Sequence, residues 1–239
     1  AAAAAAASCQ PTPAAPRGGE SVLLQVAHQA AIPAADKLIQ DGLEKPDGEI
    51  FLIGNGPMAE EDHAKVKAAS PWQVYRFNGM SNLRPGEPVG RVFVRDCSGG
   101  YWGFDFHRCG RLGEAKGLIF LGGDVPKKDS YTKKTQKEFP KIPTVFASAD
   151  DAVPLHGATR ALPAGFVNGW SSGFLGLAHL RTAAPKAKIH VLGMNWNANH
   201  AGPHPFDLEG RFFANDTLVT VHRTPTGKYH RRDECAAHP

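Results

Sequence analysis

The chain has no run near the roughly 20 consecutive apolar residues that a membrane-crossing helix needs, so no membrane span is expected within it. It has only four cysteines, Cys9, Cys97, Cys109 and Cys235, and no two form a CxxC pair. A structural zinc site is therefore not expected. Cys97 and Cys109 flank a Gly- and aromatic-rich stretch. A disulfide closing it and a pair of reduced thiols are both open, and the cysteines leave the compartment undecided. A Gly-Lys-Ser/Thr P-loop and a full G-x-G-x-x-G are absent, which argues against the standard nucleotide and dinucleotide cradles. A strong excess of one charge is missing too. The 27 Lys and Arg against 23 Asp and Glu leave +4, which suits small anionic ligands and is too weak to argue for nucleic acid.

What is present is enough for one sizeable core. Of the 239 residues, 42% are hydrophobic and 21% charged, ordinary values for a globular domain of this length. No composition shift and no internal repeat mark a second domain, so residues 20–239 read as one unit. Residues 1–19 are rich in Ala and Pro and read as a flexible tail or stem. The Ala1 to Ala7 run is too short for a signal anchor and lacks a basic flank. The lysines 127, 128, 133, 134, 137 and 141 read as a solvated loop.

Short apolar, β-branched runs recur along the chain. Strands are predicted at 49–53, 73–77, 91–95, 117–121, 143–147, 188–192 and 217–221. Helical spacing appears over 21–44 with a break at Pro33, over 60–69, from Ser171 onward, and from Pro205 through Phe213. Strands alternating with helical stretches imply an α/β, Rossmann-like domain. The expected architecture is about seven strands, mostly parallel, with helices on both faces.

Two turns stand out. Ile50-Phe51-Leu52-Ile53 runs into Gly54-Asn55-Gly56-Pro57, which lets backbone approach a ligand and adds an amide side chain. Asn78 ends the next strand and would converge on the same ligand. The second turn is Asn168-Gly169-Trp170-Ser171-Ser172-Gly173. Its hydroxyls and the free amides of the helix it opens favour an anion. His179, inside that helix, reads as a packing or surface histidine. Farther on, His204 precedes Pro205 and Glu209 follows within the helix. A histidine at a helix N-terminus is kept neutral, as a general base near pH 7 must be. His200 and His204 also resemble metal ligands by type, but the sequence shows no further partners at suitable spacing.

Taken in order, these segments resemble the motifs of the eukaryotic sialyltransferase family. They are more distantly similar to bacterial sialyltransferases with a Gly-Asn-Gly-Pro turn. Phe51 to Asn78 looks like the family's long motif, with Val89-Gly90-Arg91 as its tail. Trp170-Ser171-Ser172-Gly173, its helix and the strand 189–193 look like the short motif, usually Pro-Ser-Thr-Gly. Asn195 to His200 falls where the third motif would, and His204 to Glu209 is similar to His-x-x-x-x-Glu. The resemblance spans roughly residues 49–222. It departs from the family in having no cysteine within the long or short motif, and in Trp170 and Ser172 for Pro and Thr.

The resemblance implies a variant of the GT-A glycosyltransferase fold. It also implies an inverting, metal-independent transfer of sialic acid or a related keto-sugar acid, from a CMP-sugar donor to a glycan hydroxyl, with no cofactor. Asn55 and Asn78, with Gly54 and Gly56, would hold the phosphate and ribose. Ser171, Ser172 and Gly173 would hold the sugar carboxylate or phosphate, and His200 would lie among the substrate-binding residues. His204 would take the acceptor proton, with Glu209 supporting the site. The implied address is the Golgi lumen or secretory pathway. The rival expectation is an inactive domain of this kind, serving with protein partners as an accessory subunit in an organelle or the cytoplasm.

Overall fold

The structure is a computed structural model. It describes residues 34–77, 79–80, 82–95, 111–121, 131–147, 170–194, 196, 206–223 and 225. In chain order the described elements are α1 (Ala34–Gln40), β1 (Glu49–Ile53), α2 (Glu60–Ala68), β2 (Val74–Phe77), β3 (Arg91–Arg95), a 3₁₀ turn (Leu112–Glu114), β4 (Gly117–Leu121), α3 (Tyr131–Glu138), β5 (Thr144–Ala147), α4 (Ser172–Ala183), β6 (Lys188–Leu192), α5 (Phe206–Phe212) and β7 (Val219–Val221).

The seven strands form one sheet in the order β5-β4-β3-β2-β1-β6-β7, and every described pairing is parallel. This is the α/β, Rossmann-like architecture expected from the sequence. Its logic is visible in the strand sequences. Ile50 to Ile53 and all of β4 are buried, as strands covered on both faces must be. Successive side chains alternate between two cores. Ile50, Leu52, Tyr75, Phe77, Phe93, Ile119, Leu121, Ile189 and Val191 face α1 and α4 on one side. Phe51, Ile53, Val74 and Leu192 face Val66 of α2 and Met58 on the other. Val92, Val94, Leu118 and Phe120 continue that second face toward Leu112 and Met80. A fully buried Ile or Leu contributes about 1.5–3 kcal/mol.

Helix α4 is apolar nearly all round, with nine of its residues buried between the sheet and α1. Helix α2 differs, because its inward face carries Asp62 and His63 beside Val66. Those polar groups are satisfied: Asp62 Oδ1 lies 2.8 Å from His222 Nδ1, and His63 Nδ1 lies 2.6 Å from Glu87 Oε1.

One expectation is corrected. Of the lysine-rich stretch read as a solvated loop, residues 131–138 form helix α3. Neither Gly nor Pro interrupts them, and Lys, Gln and Glu are good helix formers. Thr135 is buried while Lys137 and Lys141 are exposed, so the helix still presents charge to water. Residues 1–33 and all four cysteines lie outside the described residues. The tail and the Cys97–Cys109 pairing thus lie outside the described residues.

Candidate functional site

From β1 the chain lays down β2 to β5 on one side, then returns to add β6 and β7 on the other. The carboxyl ends of β1 and β6 are thus the switch point of the sheet, where open α/β sheets form a crevice. Both turns singled out in the sequence lie here.

The first turn is fastened to β6. Gly54 N donates to Leu192 O at 2.8 Å, and Gly56 N donates to Gly193 O at 2.9 Å. The backbones run so close that a Cβ on Gly54 would collide with the Gly193 carbonyl. Gly193 itself has φ +59°, a conformation that favours glycine. The turn's carbonyls are held from behind by Asn82, whose Nδ2 donates to Gly54 O at 2.8 Å and Gly56 O at 3.0 Å. Asn82 in turn rests on a buried ionic group. Arg76 Nη2 donates to Glu87 Oε2 at 2.8 Å, Arg76 Nε to Pro88 O at 3.2 Å, and the Arg84 amide to Glu87 Oε2 at 3.2 Å. Burial pushes the Glu87 carboxyl up, but the His63 hydrogen bond and the Arg76 charge outweigh it and hold it below its ordinary value. Asn55, half-buried, stands at the tip of this rigid turn.

The second turn caps α4. Ser171 is the N-cap, in extended conformation, and its Oγ accepts from Phe174 N at 3.1 Å. Ser171 is also gripped by Glu209 of α5: the Ser171 amide donates to Oε1 at 2.5 Å and its hydroxyl to Oε2 at 2.6 Å. Trp196 Nε1 donates to the same carboxylate at 3.1 Å. Glu209 has no exposure to solvent. Through these bonds it ties α5 to the start of α4. Ser171 is used up as a structural cap. Ser172, half-buried, and the amides of Ser172 and Gly173 have no partner among the described residues, and they are what the turn offers a ligand.

The two turns meet across one side chain. The Met194 sulfur lies against both Gly54 and Gly173, so that a Cβ on either glycine would stand 2.9 or 2.8 Å from it. Met194 is 9% exposed and lies between the two turns. Trp170 packs into the core. Its ring stacks on Phe174 at 4.4 Å and meets Phe212 edge-on at 5.5 Å, inside the core.

Gly54, Asn55, Gly56, Ser171, Ser172, Gly173 and Glu209 are therefore brought together. Asn78, His200 and His204 lie outside the described residues. The buried His179 sits within α4, away from solvent. Among the described residues, no group of three or more His, Cys, Asp or Glu side chains is arranged to hold a metal ion, and no helix is long and apolar enough to cross a membrane.

No protein-family model matches the chain, and no curated protein or solved structure matches it either. The site is thus read from its own geometry.

Sequence reasoning missed Asn82 and Met194. Neither belongs to a spacing pattern: each acts through one tertiary contact. The isolated Asn in a loop rich in Gly and Pro was the only available sign of the first.

Proposed function

We propose that this domain is an inverting glycosyltransferase of the sialyltransferase kind, moving a sialic-type keto-sugar acid from a CMP-sugar to a glycan hydroxyl in the Golgi or secretory pathway. The observation that carries the reading is the bond between Glu209 and Ser171. It joins the end of the His-x-x-x-x-Glu segment to the serine turn, 38 residues earlier in the chain. A base at the head of that segment and a phosphate at that turn would then share one crevice.

In this reading the amides of Ser172 and Gly173, the Ser172 hydroxyl and the positive end of α4 hold the phosphate as charge builds on it. Asn55 and Asn78 orient the ribose and phosphate. The CMP leaving group bears its own negative charge and needs little acid assistance. His204 removes the acceptor proton while the hydroxyl attacks the anomeric carbon from the face opposite CMP, which inverts that centre. An oxocarbenium-like transition state follows by analogy with glycoside hydrolysis. The reading calls for no metal and no cofactor. The packing of Trp170 inside the core supports it, since the ring does not compete with a nucleotide for the crevice.

A second reading is favoured by Met194, whose sulfur already occupies the space between the turns. In it the domain is an inactive relative that serves protein partners as an accessory subunit. Calorimetry with CMP separates the two. The transferase reading expects binding by the unaltered protein, weaker binding by Asn55→Ala and Ser172→Ala, and His204→Ala that binds CMP yet turns over no CMP-sialic acid. If millimolar CMP gives no heat, the transferase reading fails. If turnover persists in His204→Ala, the base is another group.

A further inference from the structure

Two histidines on the face of the sheet that α2 covers touch ring to ring. His190 of β6 is in register with Phe51 of β1, and their rings stack at 5.2 Å. His222 directly follows β7, and its amide donates to Val191 O at 2.9 Å. His222 Nε2 lies 3.2 Å from His190 Nδ1. On its other side, His222 Nδ1 lies 2.8 Å from Asp62 Oδ1 of α2, and His190 Nε2 lies 3.6 Å from Glu49 Oε1 of β1. The Asp62 side chain is 4% exposed, whereas both rings are partly open to water.

The number of protons decides whether this chain of contacts holds. A ring nitrogen donates when it carries hydrogen and accepts when it does not. The Asp62 carboxylate only accepts, so His222 Nδ1 carries hydrogen. The contact between the rings needs one hydrogen, on either His190 Nδ1 or His222 Nε2. While one ring is neutral, a lone pair is there to receive it. When both are imidazolium, two N–H groups and two positive charges face each other across 3.2 Å, and the contact turns repulsive.

The surrounding charges divide. Burial foremost holds His190 below its ordinary 6.5, the charges of His222 and Lys65 add to it, and Glu49 opposes them. Lys65 also reaches Asp62 at 3.4 Å. Lys188 and Arg223 are exposed, and His63, beside Asp62 on α2, is engaged by Glu87. Val66 is the one buried apolar side chain of α2, so the helix leans on Asp62 and His63 to stay docked.

We propose that the His190–His222 pair is an acid-operated latch, which fastens α2 to β6 and β7 while one ring is neutral and releases the helix when both are charged. Helix α2 begins three residues after Pro57, so release also frees the chain leading out of the Gly54–Pro57 turn.

The sign follows from His190. Its native value is depressed, so the latch is complete above 6.5 and is lost as pH falls through the native value. Between those limits each pH unit raises the opening equilibrium about tenfold. Hydrogen exchange of the α2 amides and of the His222 amide, corrected for the intrinsic rate, reads that rise between pH 7.5 and 5, while β3 and β4 stay unchanged. In His190→Gln the side chain still accepts from His222 and does not titrate, and the rise disappears. Because that variant risks misfolding, ring-nitrogen NMR of the unaltered protein gives a second reading: the proton that makes both rings imidazolium arrives together with the shift changes of the α2 amides. Exchange that does not vary with pH overturns the proposal. So does a rise that persists in His190→Gln, which would place the titrating group elsewhere, or rings that become doubly charged while α2 stays docked.

Discussion

In Glu209→Ala, three donors lose one acceptor at a stroke. The Ser171 amide, the Ser171 hydroxyl and Trp196 Nε1 all end on this carboxylate, and all three residues are buried. The hydroxyl can rotate, which leaves two stranded N–H groups at about 1–3 kcal/mol each. One lost methylene adds about 0.8 kcal/mol. Against this, the mutant no longer desolvates a carboxylate, which offsets a few kcal/mol. The expected net loss is about 3 kcal/mol, or a melting temperature lower by roughly 6–12 °C for a chain of this length. Glu209→Gln keeps the shape but turns an NH₂ group toward a donor, so it loses about 1–2 kcal/mol. Urea denaturation reads both values, and hydrogen exchange at the first turn of α4 reads the cause. That turn exchanges faster in Glu209→Ala while β3 and β4 are unchanged. Combining Glu209→Ala with Ser171→Ala costs less than the sum of the two, because they share contacts. The reasoning fails if Glu209→Ala loses under about 1 kcal/mol, or if Gln is as damaging as Ala.

Gly54→Ala forces a methyl group onto the Gly193 carbonyl and the Met194 sulfur. It loses about 1–3 kcal/mol in denaturant titration, whereas Gly113→Ala, with only Phe139 at 3.8 Å, stays within about 0.5 kcal/mol. The depressed Glu87 carboxyl contributes stability that is complete above its ordinary pKa of 4.5 and is lost as pH falls through its lower native value. Melting curves from pH 7 to 3 show this acid limb in the parent protein and a shallower one in Glu87→Gln; identical limbs refute the pairing. The Tyr75 hydroxyl, raised to about 12, supplies stability present below pH 10 that is lost as pH rises through the native value, so its absorbance change near 295 nm coincides with alkaline unfolding and is absent in Tyr75→Phe.

The strands were legible because parallel, doubly covered strands are written as unbroken apolar runs. The residues 49–53, 91–95, 117–121 and 188–192 are bounded as expected. Expected strands over 73–77 and 143–147 each lose their first residue, and 217–221 shrinks to Val219–Val221. Ser171 announced the start of α4 because capping chemistry is local. The strand order was not legible. Placing β6 beside β1, rather than beside β5, depends on contacts between distant segments that no local pattern encodes. The same holds at the site. Ser171 was visible as a hydroxyl at a helix start, yet its commitment to Glu209 rests on how α5 docks. Charge alone misled at α3, where a lysine-rich stretch was read as loop though its residues favour a helix.

The position of β1 has a consequence for biosynthesis. Its partner β6 begins more than half a chain length later, with Lys188 in register with Glu49. At ribosomal speed, roughly ten seconds separate the two strands. By the end of that interval β1 to β5 can pair, but β1 is an open edge, and the sheet face awaiting α4 is apolar and uncovered. That five-stranded sheet, with one open edge and one bare apolar face, is a surface a chaperone working on the nascent chain would meet. The crevice needs both halves, so it is among the last features of the fold to come into being.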